Sequence, residues 1–75
     1  MKYLIIIEQA DGNLSAYVPD LPGCVTTGAT REEVLRNMGE AIELHLQGMR
    51  EDGEEIPLPN SDPAWVDVTI PAPAH

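Results

Sequence analysis

Phenylalanine is missing from this 75-residue chain and aromatic residues make up only 4% of it, so aliphatic side chains have to fill whatever core it builds. A single cysteine, Cys24, excludes an internal disulfide and implies no oxidising compartment. Cations are scarce as well: 4 Lys and Arg stand against 13 Asp and Glu, for a formal net charge of −9. Such a surface repels phosphate backbones and argues against direct nucleic-acid binding. A basic protein is its natural electrostatic complement, although the same charge would also serve plain solubility. Long apolar runs are absent too. "MKYLIII" opens like an export signal, but Glu8 ends the run short of the roughly 7–15 apolar residues such a signal needs, and nothing approaches a transmembrane span. The expected location is the cytoplasm, with no membrane partner.

What is present organises into one domain, of a size that buries only about 60% of the surface its unfolded chain exposes. Residues 3–8 are Ile-rich and read as a strand, apolar on both faces: Tyr3, Ile5 and Ile7 on one, Leu4 and Ile6 on the other. "ADGN" supplies a hairpin turn, with positive φ angles expected at the Asp-Gly pair, and residues 14–18 return as a second strand. A third is expected over residues 25–28, from its Val and Thr content. After the helix described next, Val66, Val68 and Ile70 alternate with Asp67 and Thr69, so residues 65–70 read as a half-buried fourth strand. Between them, "IPLPNSDP" can be neither helix nor inner strand.

"TREE" marks the helix start, with Thr30 as N-cap and Glu33 as the returning member of a capping box. Val34, Leu35, Met38, Ala41, Ile42, His45, Leu46 and Met49 then form one apolar stripe, and Gly53 is the stop. Leu44 falls off that stripe, among Glu40, Glu43 and Gln47, where it is either a harmless exposed leucine or a contact for another chain. Glu51, Asp52, Glu54 and Glu55 crowd the helix C-terminus, where the macrodipole disfavours anions.

The expected architecture is therefore α+β: a two-layer β-β-β-α-β order, one helix on a four-stranded mixed sheet. A right-handed crossover would place the fourth strand beside the first, making the first central. One helix covers one sheet face only. Because the first strand is apolar on both, a second subunit is expected to cover Leu4 and Ile6, giving a homodimer or higher homo-oligomer, with Leu44 as a further self-association candidate.

Chemistry is hard to find. Cys24 is the candidate nucleophile, yet the only histidines are His45, on the apolar stripe, and His75, in the tail, and neither spacing suggests a base beside it. No second His or Cys stands at metal-ligand spacing from His45, and the acidic run lacks the spacing and glycine of a calcium loop. Gly23 and Gly28 make no phosphate loop. No catalytic residue, metal or cofactor is expected. The stretch "VPDLPGCVTTGAT" reads as a bend: Pro19 ends strand pairing, Asp20 accepts from nearby amides, and Pro22-Gly23 suits a type II turn.

That bend also carries a resemblance. Pro19, Asp20, Leu21, Pro22, Gly23 and Cys24, followed by a Gly-x-Thr step ending at Thr30, a Glu-rich helix start and an Ile-Pro-x-Pro exit, resemble the HicB antitoxin family over residues 1 to about 70. The resemblance implies a partial ribonuclease-H-like fold and a partner, a HicA-type toxin: a small basic ribonuclease of double-stranded-RNA-binding-like fold with a catalytic histidine. It implies neutralisation by occlusion of the toxin's active site, with no enzymatic chemistry on this side. The acids Glu40, Glu43, Glu51, Asp52, Glu54 and Glu55 are the first candidates for such contacts. Many members of the family continue into a C-terminal DNA-binding domain, and none is expected here after the HicB-like domain of residues 1–70 and the flexible tail of 71–75. The alternative from another class is a solitary small enzyme or ligand binder using the Pro19-to-Cys24 bend.

Overall fold

The structure, a computed structural model, describes residues 1–73. Three strands, β1 (Ile6–Ala10), β2 (Asn13–Tyr17) and β3 (Val25–Gly28), precede one helix, α1 (Arg31–Glu51). The strands form an antiparallel meander in the order β1-β2-β3. Register follows the hairpin: Ala10 faces Asn13 across the Asp11-Gly12 turn, and Ile7 faces Ala16. Only Gly12 takes a positive φ there, 78°, whereas the sequence reading expected it of both turn residues. A single glycine is enough to reverse the chain when the first turn position stays at negative φ.

Alternation then decides what each face meets. Ile7, Ala16 and Thr26 line up across the three strands on the helix side, where Tyr3, Ile5 and Leu14 also pack. Against them α1 sets Val34 and Met38, both buried, with Ala41, Ile42 and Leu46 around them. Leu35, expected on the buried stripe, is instead 47% exposed. α1 lies over β3 and β2, so its first turn does not cover that flank.

The helix ends are closed as their residues require. Thr30 Oγ1 accepts from the Glu33 amide at 3.1 Å, and the Glu33 carboxylate accepts from the Ala29 amide at 3.4 Å, one residue before the position a standard capping box would use. At the other end the Glu54 amide donates to the Met49 carbonyl and the Gly53 amide to the Arg50 carbonyl, the paired bonds of a Schellman motif.

Gly28 is where helix and sheet come closest. A Cβ built there would stand 2.9 Å from Val34 Cγ2 and 3.0 Å from the Val34 amide nitrogen, which cannot move without moving the helix start. Gly28→Ala is expected to cost about 1–3 kcal/mol, as overpacking does. Gly39, on the same helix with open space around it, is expected to respond oppositely to Ala, gaining about 1 kcal/mol of helix propensity. Urea unfolding midpoints of the two variants check the contrast, and a stable Gly28→Ala protein would contradict the close approach.

Two expectations about the sheet are corrected. It has three strands, not four, and is antiparallel rather than mixed, because residues 65–70 form no strand in the described structure. β1 is accordingly an edge strand and not the central one. The physical reason is that alternation specifies a strand without specifying its partner: the Pro-rich segment of residues 56–63 is tied back to Tyr3 and Asp20 and brings Pro63 and Trp65 beside β1, yet among the described residues β1 pairs with β2 alone.

Candidate functional site

The bend between β2 and β3 is two consecutive turns. The Leu21 amide donates to the Val18 carbonyl at 3.1 Å, with Pro19 and Asp20 at the corners, and the Cys24 amide donates to the Leu21 carbonyl at 3.1 Å, with Pro22 and Gly23 at the corners. Gly23 has φ 85°, the left-handed value that a type II turn demands at this position. The Val18 amide closes the loop onto the Cys24 carbonyl at 3.2 Å. This geometry drives Leu21 inward until none of it is exposed, beside Val18 and Cys24 in the core.

Asp20, at the loop's outer corner, reaches across the molecule. Its Oδ2 accepts from the Asn60 amide at 3.0 Å and the Ser61 amide at 3.1 Å, and its Oδ1 accepts from the Ser61 hydroxyl at 2.9 Å. The expectation that Asp20 serves backbone amides holds, but the amides are 40 residues away. Tyr3 works alongside it, donating its hydroxyl to the Pro57 carbonyl. Together they fasten the segment after α1 to the start of the chain and to the bend.

The Asn60 amide, with the Ser61 amide and hydroxyl, holds the Asp20 carboxyl below its ordinary value of 3.8, against an opposing desolvation. A carboxyl depressed in the folded state stabilises the fold above its unfolded value and loses that contribution as pH falls through the folded one. Protection of the Asn60 and Ser61 amides from hydrogen exchange should therefore weaken as the pH is taken below 3.8. Asp20→Asn should weaken it at every pH and abolish the dependence. Unchanged protection in that variant would show that the clamp does not hold the segment.

Cys24 is a core residue, 3% exposed, and burial pushes its thiol above its ordinary value. A thiolate is thus disfavoured, the opposite of what a nucleophile needs. His45 lines a shallow groove with Leu21, Pro22 and Met49; His75 lies outside the described residues. Among the described residues no group of three or more His, Cys, Asp or Glu could hold a metal ion, and no helix is long and apolar enough to cross a membrane.

The remaining candidates are surface residues. Glu40, Glu43, Glu51, Asp52, Glu54 and Glu55 are all exposed. Helical spacing brings Glu40, Glu43, Gln47 and Glu51 onto one face of α1, and Leu44, 69% exposed, sits among them. Glu51 also accepts from Gln47 Nε2 at 3.4 Å. Ile6 alternates with Ile7 onto the helix-free side of the sheet, and with Leu4 it lines a groove at the β1 edge that does not include Leu44. It adds two residues that the sequence reading missed: Ile6 faces Tyr17 and Tyr17 faces Val25 across the strands, with Tyr17 41% and Val25 65% exposed. Alternation within β2 and β3 held that signal, but only the register puts the three in a row.

The family described as HicB_like antitoxin of bacterial toxin-antitoxin system matches residues 3–71. The chain belongs to the HicB-like antitoxin family. It is 45% identical over 60 residues to an uncharacterized 14.9 kDa protein in the rep-hol intergenic region of Haemophilus phage HP1, covering 80% of this chain and 45% of the phage protein. It is 41% identical over 63 residues to a UPF0150 protein of Thermoplasma acidophilum, covering 83% of this chain and 91% of that one. The chain thus spans less than half the length of the phage relative and most of the archaeal one. Among solved structures it superposes on a chain of a HicA3 and HicB3 toxin-antitoxin complex with a TM-score of 0.72 and 31% identity, covering 81% of this chain and 71% of the other. The HicB-like domain therefore shares its fold with a chain of a toxin-antitoxin complex of known structure.

Proposed function

We propose that this HicB-like domain neutralises a HicA-type toxin by covering the toxin's RNA-cleaving site, as a non-enzymatic binding module. The observation that carries the reading is the exposed face of α1, where Leu44 stands in the middle of Glu40, Glu43 and Glu51. An apolar centre within a charged rim is the anatomy of a protein interface, and the rim's sign suits a basic nuclease that must otherwise attract RNA. Glu51, Asp52, Glu54 and Glu55 extend the same charge past the helix end. In this reading the acidic surface takes the place of the RNA phosphates, so the domain itself binds no nucleic acid and acts in the cytoplasm.

The test mixes the domain with a short basic HicA-type toxin, and follows RNA cleavage and co-elution. Cleavage should stop as the antitoxin reaches equimolar amounts, with a stable complex. Undiminished cleavage and no complex would reject the proposal.

Self-association is the second part. The row Ile6, Tyr17 and Val25, continued by Leu4, lies on the sheet face that α1 does not cover, and it supports a homodimer with that face toward the partner copy.

A further inference from the structure

The last described stretch of the chain has no role within the monomer. Residues 62–73 are exposed throughout and form neither helix nor strand. Trp65 is 97%, Val66 82%, Val68 77% and Ile70 84% exposed, yet Val66, Val68 and Ile70 alternate with Asp67 and Thr69 as a half-buried strand would. The radius of gyration is 16.2 Å, against roughly 11 Å for a compact domain of this length, and the long axis reaches 60 Å. The segment projects into solvent instead of folding back.

Its complement lies in the same chain. Among the described residues β1 pairs only with β2, which leaves the outer side of β1 as an open edge. Along that edge a groove of about 300 Å³ is lined by residues 4–7 and by Arg31 and Leu35 of α1, and Pro63 and Trp65 of the departing segment line it too. The chain therefore leaves the body beside an edge able to receive a strand, and Trp65, Val66, Val68, Thr69 and Ile70 are residue types that suit one.

We propose that residues 65–70 of one copy add to the open edge of β1 in a second copy, and reciprocally, so that each half of a two-fold dimer gains a fourth strand. A second copy is the fitting occupant because every chain carries both the donor strand and the acceptor edge, side by side. A two-fold axis next to the groove satisfies both at once, whereas an unrelated partner on the edge would leave the donor strand in water. Asp67 is the only charge among residues 65–70, and the receiving groove holds a cation, Arg31, while Glu8 is the one acid of β1. The exchange continues the Leu4 and Ile6 surface, since both belong to the same edge, and it covers four large apolar side chains per copy that are otherwise in water. It stands whether or not a toxin is the physiological partner.

Sedimentation of the full chain should give a dimer at micromolar concentration, and the emission of Trp65, the one tryptophan, should shift to the blue as the dimer forms. Val68→Pro removes an amide donor from the segment while touching nothing in the monomer. It should leave the helical circular dichroism unchanged, abolish the dimer at micromolar concentration and keep the emission red. In a mixture of isotope-labelled and unlabelled chains, filtered nuclear Overhauser contacts should run from residues 66–70 of one chain to residues 4–8 of the other. A monomer at every concentration, a dimer indifferent to Val68→Pro, contacts confined to one chain, or ordering of the segment only when the toxin is added would each overturn the exchange. Toxin binding by Val68→Pro is measured separately, so failure of the exchange and failure of the antitoxin reading give different results.

Discussion

Leu21→Ala is expected to destabilise the domain by about 2–5 kcal/mol, the range for emptying a fully buried leucine site. The residue lies in a loop between two turns, where sequence alone would tolerate change, but its side chain is wholly enclosed against Val18, Cys24, Val34 and Met38. A domain of this length has on the order of 4–11 kcal/mol of stability in total, so the loss takes a large share of it. At about 4–8 °C per kcal/mol for domains of this size, the melting temperature should fall by roughly ten to forty degrees. Circular dichroism at the helix band checks this. Leu21→Met, nearly equal in volume, should cost less than about 1.5 kcal/mol, and Leu58→Ala, at a residue 73% exposed, should stay within about 0.5 kcal/mol. If Leu21→Ala and Leu58→Ala melted together, the loop would not be part of the core.

Neutralising Glu40, Glu43, Glu51, Asp52, Glu54 and Glu55 to Gln or Asn should slow association with a basic toxin about 10- to 100-fold at low ionic strength, as the loss of electrostatic steering does. The change removes six of the 13 acidic groups while touching none of the buried core residues. Near 1 M salt, where the screening length is about 3 Å, the variant and the parent should associate at similar rates. Rates measured by stopped flow across a salt series separate steering from contact. An on-rate with the parent's salt dependence would move the toxin interface elsewhere. Leu44→Ala, by contrast, should leave the on-rate nearly unchanged and raise the off-rate, because an apolar centre holds a complex that charge has already brought together.

Local chemistry accounts for the part of the fold that could be read directly. Asp11-Gly12 between two β-rich runs, Pro22-Gly23 in the bend, Thr30 and Glu33 at the helix start and Gly53 after its end each act over four or five residues, and all appear where the residues require them. The bend's motif, with the helix start and the proline-rich exit, was also enough to point to the HicB-like family. The acids could be placed on the helix surface from spacing alone, as could Leu44 among them.

Contacts between distant residues were not legible. Nothing in Asp20, Asn60 or Ser61 marks them as partners, since a carboxylate accepts from whichever amides the fold delivers, and here those come from 40 residues away. The same holds for the row of Ile6, Tyr17 and Val25, which exists only through register. Alternation over residues 65–70 determined that this segment is suited to be a strand. Tertiary structure decided that it is not one within the monomer, because a strand is made by its neighbour: the backbone bonds that stabilise it belong to a partner edge, and no local rule says which edge, or whose.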